Sequence, residues 1–212
     1  MHWINYRVFY CPSRADAPDL KNPSPTTQPK LARYMKKNAI IDVNTAFEGS
    51  VLWCWQRIND LKGDRAEKRR QSSMRGWQML GDLGRHMWPD IAGDAAFETV
   101  RQSSGRPGLI IDGVIHCASI SHSRDLVAVA IAKGPDVMIG IDIEYRDPSR
   151  DIEALSRWLF DGDADGRDFY QGWCDYEAAF KATGETDPLA QARATLIAIE
   201  TIDGFSGALA RV

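Results

Sequence analysis

The sequence contains no apolar run long enough to cross a membrane, and its cysteines follow no metal-binding spacing. The four cysteines are Cys11, Cys54, Cys117 and Cys174; they include no CxxC pair and none lies beside a histidine as in zinc sites. Two lie in apolar or aromatic runs, where a reduced cysteine acts as a small hydrophobic residue. The first residues lack the basic-then-apolar pattern of a signal peptide. We therefore expect a reducing, cytoplasmic compartment and no membrane partner.

The sequence also carries little net charge. At a formal net charge of −3 over 212 residues, no global electrostatic field would recruit nucleic acid. One basic stretch is the exception, and it comprises Arg57, Lys62, Arg65, Lys68, Arg69, Arg70 and Arg75. Such a run is typical of a solvated helix face. The alternative is a docking surface for an anionic ligand or an acidic partner.

Turn residues and apolar patterns predict an α+β fold with a boundary near residue 112. Residues 12–29 hold five prolines and predict a long loop. Asp64 is the expected N-cap of a helix to about Met87, with apolar residues at Met74, Trp77 and Leu80; Gly81 is an alternative end. Further strands and helices are predicted at 109–111, 114–116, 126–132, 137–143, 151–159, 168–183, 195–199 and 205–210. The chain thus divides into residues 1–112 and 113–212.

Asp142 and Glu144 lie two residues apart on the strand predicted at 137–143. Side chains at i and i+2 of a strand share a face, so both carboxylates point one way while Ile141 and Ile143 point into the core. A strand with one solvated face is the simpler interpretation. However, residues 127–132 resemble a strand buried on both faces, which would place the acids near the interior. Buried carboxylates are costly, and a bound cation would offset that cost.

Glu177 and Lys181 lie four residues apart on the helix predicted at 168–183. As a simple helix ion pair they would contribute only about 0.2–0.5 kcal/mol. The residues around Glu177 are apolar, however, which predicts that this helix packs on a sheet; they are Trp173, Ala178, Ala179 and Phe180. Together with Asp142 and Glu144, Glu177 would form an all-oxygen donor set of the kind that suits Mg²⁺.

His122 has a serine on either side in the segment Ser119–Ser123, which is predicted to lie just before a strand. A turn with local side-chain caps is one interpretation of these serines. A serine hydrolase is disfavoured because no GxSxG motif is present. Hydroxyls, an imidazole and free amides at a strand–loop junction would suit a phosphate, to which Arg106 could add positive charge.

The acidic loop at residues 161–166, Asp-Gly-Asp-Ala-Asp-Gly, fits the first half of a calcium-binding EF-hand loop. The twelfth position of such a loop needs a bidentate glutamate and holds Gly172 here. A solvated loop that caps the following helix near Asp168 is therefore the expected structure.

Taken together, the motifs resemble those of the 4′-phosphopantetheinyl transferases of the larger, surfactin-synthetase-activating type. The segments that carry the resemblance, in order along the chain, are Gly105-Arg106-Pro107, Ser119-Ile120-Ser121-His122-Ser123, Gly140-Ile141-Asp142-Ile143-Glu144, and Trp173 to Lys181 in the form W-x-x-x-E-A-x-x-K. Each segment alone is weakly specific, and the four in order are specific. The resemblance covers about residues 65–185.

The resemblance implies a monomer of two similar α/β halves packed as a pseudo-dimer, with coenzyme A between them. It implies an enzyme that transfers 4′-phosphopantetheine from coenzyme A to a serine of an apo acyl, peptidyl or polyketide carrier protein, releasing adenosine 3′,5′-bisphosphate. By resemblance, Asp142, Glu144 and Glu177 hold Mg²⁺, with Mn²⁺ as an alternative, and Glu177 also activates the serine. Lys181 neutralises the leaving phosphate.

The same resemblance assigns Ser121 and His122 to the 3′-phosphate of coenzyme A, with Arg106 and Arg75 nearby. Three departures from the family pattern concern rate and carrier choice. Tyr176 stands where a lysine often precedes the helix glutamate, Ala118 and Ser119 replace an aromatic residue and an asparagine, and residues 184–187 are not a basic glycine turn. The alternatives are a low-turnover module that binds coenzyme A or the carrier, and a Mg²⁺-dependent pyrophosphate hydrolase.

Overall fold

In the computed structural model, the described residues are 43–91, 97–159, 168–200 and 203–212. The predicted loop at 12–29 and the calcium-like loop at 161–166 lie outside these ranges. The described part of the chain is mixed α and β with two antiparallel sheets, which confirms the predicted α+β class. Among the described helices, none combines the length and apolarity needed to cross a membrane.

The larger sheet, sheet I, has six antiparallel strands in the order β1-β2-β6-β5-β4-β3. Its strands are β1 (Asn44–Ala46), β2 (Val51–Arg57), β3 (Phe97–Arg101), β4 (Pro107–Ile111), β5 (Val114–Ser123) and β6 (Leu126–Ala132). Asp112 and Gly113 join β4 to β5 with φ values of 48° and 78°. Two successive positive φ values suit the tight hairpin that the Asp-Gly pair predicts.

The smaller sheet, sheet II, has three antiparallel strands in the order β7-β9-β8. They are β7 (Ile139–Tyr145), β8 (Thr195–Ala198) and β9 (Phe205–Arg211). Asp142 lies opposite Ala208 and Glu144 opposite Ser206 in the pairing of β7 with β9. Because β7 is an edge strand of sheet II, one row of its backbone N–H groups points away from β9.

Four helices complete the described structure: α1 (Arg65–Met87), α2 (Ile152–Leu159), α3 (Phe169–Thr183) and α4 (Pro188–Gln191). Asp64 caps α1 as predicted, and its carboxylate accepts the Glu67 N–H at 2.9 Å. The helix continues to Met87, so the alternative end at Gly81 is wrong. At α3, Asp168 is the N-cap and Gly184 ends the helix in the left-handed region at φ 79°.

Of the apolar stripe predicted on α1, Leu80 is buried and Trp77 is partly buried against the same core, but Met74 is not. Met74 is 54% exposed, whereas the buried apolar residues of the helix are Met79, Leu80, Leu83 and Met87. The reason is the close approach of α1 to β5 at Gly76, where a Cβ would lie 2.6 Å from Cγ2 of Ile120. This contact rotates the helix so that the Gly76 side, rather than the Met74 side, faces sheet I.

The elements pack in layers, with α1 on one face of sheet I, sheet II on the other, and α3 on the far face of sheet II. Every residue of β6 is buried, which confirms the prediction for this strand. Although β6 and β7 are consecutive, they belong to different sheets. The boundary predicted between residues 112 and 113 falls in the β4–β5 hairpin, and strands from both sides of it share sheet I. The division into two similar halves stays a prediction.

Candidate functional site

Helix α3 lies directly on β7 because Gly140 has no side chain. A Cβ at this position would lie 2.8 Å from the Ala182 nitrogen and closer still to the Ala178 carbonyl oxygen. Both of these are backbone atoms and cannot move aside without moving the helix. The glycine that opens the Gly-Ile-Asp-Ile-Glu motif therefore allows α3 to bring its polar flank against the acids of β7.

Lys181 is the residue through which α3 contacts Asp142. Its Nζ donates hydrogen bonds to Oδ1 of Asp142 at 2.6 Å and to the Ile141 carbonyl at 3.1 Å. Asp142 is buried, at 6% exposure, and it also accepts a hydrogen bond from Ser121 Oγ at 2.8 Å. These two hydrogen bonds offset the free-energy cost of removing the Asp142 carboxylate from water.

The serines of the Ser-Ile-Ser-His-Ser segment form a ladder along the free edge of β7. Ser119, Ser121 and Ser123 accept the N–H groups of Ile141, Ile143 and Tyr145 at 3.0, 3.3 and 3.0 Å. These N–H groups are the ones that β9 leaves unpaired. Residues 119–123 precede the strand β6 as predicted, but they are themselves part of β5, which keeps pairing with β6 up to Ser123, so the segment is not the expected strand–loop junction.

Glu144 lies further along β7 and has two partners of its own. Its carboxylate accepts hydrogen bonds from Ser123 Oγ at 3.1 Å and from Arg150, with an ion-pair distance of 2.8 Å. Burial raises the pKa of Glu144, and the negative charge of Asp142 raises it further, while Arg150 lowers it. The raised pKa shows that the positive charges nearby do not fully offset burial and the neighbouring carboxylate.

Glu177 faces the same acids from α3. Burial raises its pKa, Lys181 lowers it, and the charges of Asp142 and Glu144 raise it again. The same two acids raise the pKa of the buried Cys174 thiol, after burial itself. The structure therefore brings the three predicted acids and Lys181 within electrostatic range of one another, in a region where solvent screening is reduced.

His122 points to the other side of β5 from the serines, because neighbouring residues of a strand alternate between faces. Its pKa is lowered by burial first, then by the positive charge of Arg69 on α1 and that of Lys181, while Asp142 raises it. Burial and these two positive charges therefore disfavour protonation of the imidazole, which lies within electrostatic range of both Arg69 and the acid–lysine cluster. Ser121 and His122, predicted to act together, lie on opposite faces.

The two arginines predicted near the phosphate have protein partners. Arg75 binds the side chain of Gln56 on β2, and its Nε donates at 2.8 Å. Arg106 donates to the Ala182 carbonyl at 3.1 Å, at the carboxyl-terminal end of α3. His122 is on β5, whereas Arg75 is on α1 and Arg106 lies just before β4, and both arginines are bound to other parts of the protein.

Over the described ranges, no group of three or more His, Cys, Asp or Glu side chains is arranged to hold a metal ion. Asp142 is bonded instead to Lys181 and Ser121. The donor chemistry nevertheless fits Mg²⁺. The three acids are oxygen ligands, they are partly or fully buried, and the pKa values of Glu144 and Glu177 are raised partly by the neighbouring acids. A divalent cation would relieve that repulsion.

Tyr176 precedes Glu177 on α3 and lies about 100° around the helix from it. It lines a groove of about 270 Å³, mostly apolar, together with Gly172, Ala179, Gln191 and Leu196. The neighbouring Asp175 accepts a hydrogen bond from Gln171 at 2.9 Å, and burial raises its pKa. Tyr176, which stands where a lysine is often found in the family pattern, therefore faces α4 and β8.

No protein-family model matches the sequence, and no curated protein matches it. The case for a function consequently depends on the residues and on the contacts described above.

Several contributors to the cluster were absent from the predicted site residues. Ser123 and Arg150 bind Glu144, and Arg69 lies within electrostatic range of His122. The alternation Ser-x-Ser-x-Ser could have indicated that three hydroxyls share one strand face, had the segment been read as a strand. Nothing in the sequence pairs Arg150 with Glu144, since Arg150 lies in the loop after β7.

Proposed function

We propose that this protein transfers 4′-phosphopantetheine from coenzyme A to a serine of a carrier protein. The observation that carries the proposal is the contact of Lys181 with Asp142 in the presence of two further partly buried carboxylates, Glu144 and Glu177. A lysine and three acids at one place suit a reaction that holds and breaks a pyrophosphate, because phosphoryl transfer depends mainly on positioning and charge neutralisation. The order of the four motif segments supports the same reaction.

In the proposed reaction, Asp142, Glu144 and Glu177 would hold Mg²⁺ or Mn²⁺, which would supply positive charge to the pyrophosphate. Glu177 takes the proton of the carrier serine hydroxyl, directly or through a water, and its raised pKa makes it a stronger base. The serine oxygen bonds to the β-phosphorus of coenzyme A as the bond to the bridging oxygen breaks. Adenosine 3′,5′-bisphosphate leaves with that electron pair, and Lys181 stabilises its charge.

The proposed contacts with the rest of coenzyme A involve the α1 side of sheet I. His122 would donate to the 3′-phosphate, and Arg69 would add positive charge on the same side. Arg75 and Arg106 stay predicted contributors, and each would have to exchange its present partner for the ligand. The basic stretch on α1 would attract an acidic carrier; its exposed members there are Arg65, Lys68, Arg69 and Arg70.

The test is a transfer assay read by intact mass. The purified protein, Mg²⁺ and coenzyme A are incubated with a panel of apo carriers from fatty-acid, polyketide and peptide synthases. We expect at least one carrier to gain the mass of phosphopantetheine. Glu177→Gln should lower kcat by about a hundredfold or more, the range for loss of a general base.

A matched control comes from the same helix. Asp175→Asn also removes a half-buried carboxylate from α3, but from the flank that faces the groove. It should leave the transfer rate within about twofold of wild type. Full activity in Glu177→Gln, or no transfer to any carrier of the panel, would refute the proposal.

The second candidate is a low-turnover module that binds coenzyme A or the carrier. Its support is that Asp142 already has a lysine and a serine as partners, which satisfies the carboxylate without a metal. Calorimetry that shows coenzyme A binding, with no mass gain on any carrier, would favour it. Cleavage of coenzyme A without a carrier would instead indicate the pyrophosphate hydrolase.

A further inference from the structure

We infer that Ser121 and Ser123 are positioning residues that hold the carboxylates of Asp142 and Glu144, and that Ser121 does not bind the 3′-phosphate of coenzyme A. The inference rests on the proposed function, since it concerns the acids assigned there to Mg²⁺. It differs from the role that the family resemblance implies for Ser121. Its basis is the ladder of hydrogen bonds between β5 and the edge of β7.

Each serine of the ladder occupies the same place relative to β7. Its oxygen accepts one backbone N–H, from Ile141, Ile143 or Tyr145. A serine hydroxyl has a single hydrogen to donate. Whether the serine hydroxyl has an acid to donate to depends on the β7 residue that comes just before the bonded N–H.

For two of the three serines, the preceding residue is an acid. Ser121 accepts the Ile143 N–H and donates to Oδ1 of Asp142 at 2.8 Å. Ser123 accepts the Tyr145 N–H and donates to Oε2 of Glu144 at 3.1 Å. Because both donors are engaged, neither hydroxyl can donate to a phosphate without releasing its acid.

For the third serine, the preceding residue is Gly140, which has no side chain. Ser119 accepts the Ile141 N–H at 3.0 Å and thus makes the same backbone contact without contacting an acid. The chain therefore contains its own control. Removal of the Ser119 hydroxyl changes the docking of the two sheets, whereas removal of the other two also frees a carboxylate.

The orientation of these carboxylates matters because each also has a cationic partner. Lys181 holds Asp142 at 2.6 Å through Oδ1, the same oxygen that Ser121 contacts, whereas Arg150 holds Glu144 at 2.8 Å through Oε1 and Ser123 contacts Oε2. A serine of β5 is thus a second partner of each carboxylate and limits its rotation. Partners of this kind typically change metal affinity by about 10–100-fold when they are removed.

The first measurement is Mn²⁺ affinity by calorimetry on the full chain without coenzyme A, with thermal melting in parallel. Ser121→Ala and Ser123→Ala should each weaken Mn²⁺ binding by about tenfold or more. Ser119→Ala should stay within about twofold of the wild-type Mn²⁺ affinity. All three variants lose one acceptor and should melt earlier than wild type, and Ser121→Ala and Ser123→Ala should melt earlier still because they also lose the hydrogen bond to a carboxylate. Equal Mn²⁺ affinities for all three variants, or no Mn²⁺ binding by wild type, would overturn the inference.

The second measurement separates positioning from phosphate binding. KM is compared for coenzyme A and for 3′-dephospho-coenzyme A, in wild type and in Ser121→Ala. We expect the ratio of the two KM values to be unchanged in Ser121→Ala, because that variant loses no phosphate ligand. A ratio that collapses towards one would show that Ser121 binds the phosphate. If wild type binds Mn²⁺ in the pattern above but transfers nothing, only the proposed function fails.

Discussion

The Lys181 Nζ lies 2.6 Å from Oδ1 of Asp142, which joins the last turn of α3 to the middle of β7. The two residues come from sequence segments about forty positions apart. Their contact depends on Gly140, which allows the helix backbone to lie against the strand.

Lys181→Met should destabilise the protein at neutral pH and less so at acidic pH. Lys181 lowers the pKa of Glu177, so its loss raises that pKa further above the value in the unfolded chain. The folded state then binds more protons than the unfolded state, and stability is regained as pH falls. Chemical denaturation at pH 7.5 and 5.5 measures this, with the exposed Lys133→Met as control. An equal loss at both pH values would contradict the argument.

Gly140→Ala should be severely destabilising, by about 3 kcal/mol or more, because the added Cβ meets backbone atoms of α3. The control is Gly81→Ala in α1, where a Cβ would meet only Nη1 of Arg85 at 3.8 Å. That variant should stabilise the protein by about 0.5–1 kcal/mol, the difference in helix propensity. Urea denaturation measures both, and a mild effect at Gly140 would show that α3 can shift outward.

Ser206→Ala should raise the stability of the protein by about 1 kcal/mol. The Ser206 hydroxyl is buried, lies opposite Glu144 on β9 and has no hydrogen-bond partner within the part of the chain that the structure describes. Its removal eliminates an uncompensated desolvation cost. The mirror control is Ala208→Ser, which adds a hydroxyl at a fully buried position of the same strand face and should be destabilising. A lower melting temperature for Ser206→Ala would indicate a partner for this hydroxyl.

Because of His116, the free energy of unfolding of the protein should decrease as the solution becomes acidic. The His116 ring packs on Trp88 at 4.7 Å between centroids, and its Nδ1 is buried with no hydrogen-bond partner among the described residues. Burial lowers the pKa of His116, and backbone hydrogen bonds with Ala132 and Lys133 offset this only in part. The unfolded chain therefore binds the proton more readily, so stability is lost as pH falls below about 6.5. His116→Gln should show a shallower loss between pH 7.5 and 5.5. The control is the exposed His86→Gln, which should lose stability over this pH range as wild type does. An equal loss in wild type and His116→Gln would refute the role of His116.

Arg69→Gln should raise the pKa of His122. The positive charge of Arg69 disfavours protonation of the imidazole, after burial, which is the larger cause of the lowered pKa. NMR titration of the histidine signals measures the shift, and Arg70→Gln is the neighbouring control because Arg70 pairs with Glu67 at 2.8 Å. An unchanged His122 pKa in Arg69→Gln would show that the charge of Arg69 on α1 does not reach His122.

The local elements were predictable from the sequence to a large extent. The strand from Leu126 to Ala132, the Asp64 cap of α1 and the Asp112-Gly113 hairpin are confirmed, because each depends on residues adjacent in the chain. On α1, Leu80 is buried as the apolar stripe predicted, whereas Met74 of the same stripe is exposed. The position of Gly76 against Ile120 decides which side of α1 is buried, and this contact is between elements.

The sequence by itself determined that Asp142 and Glu144 share a strand face and that Glu177 and Lys181 share a helix flank, because both follow from the period of a regular backbone. Only the tertiary structure decided which groups these residues meet. The serine ladder depends on how the edge of sheet II lies against β5, and the Arg150 contact with Glu144 depends on the path of the loop after β7. That arrangement is set by packing between residues distant in the chain, which no local pattern records.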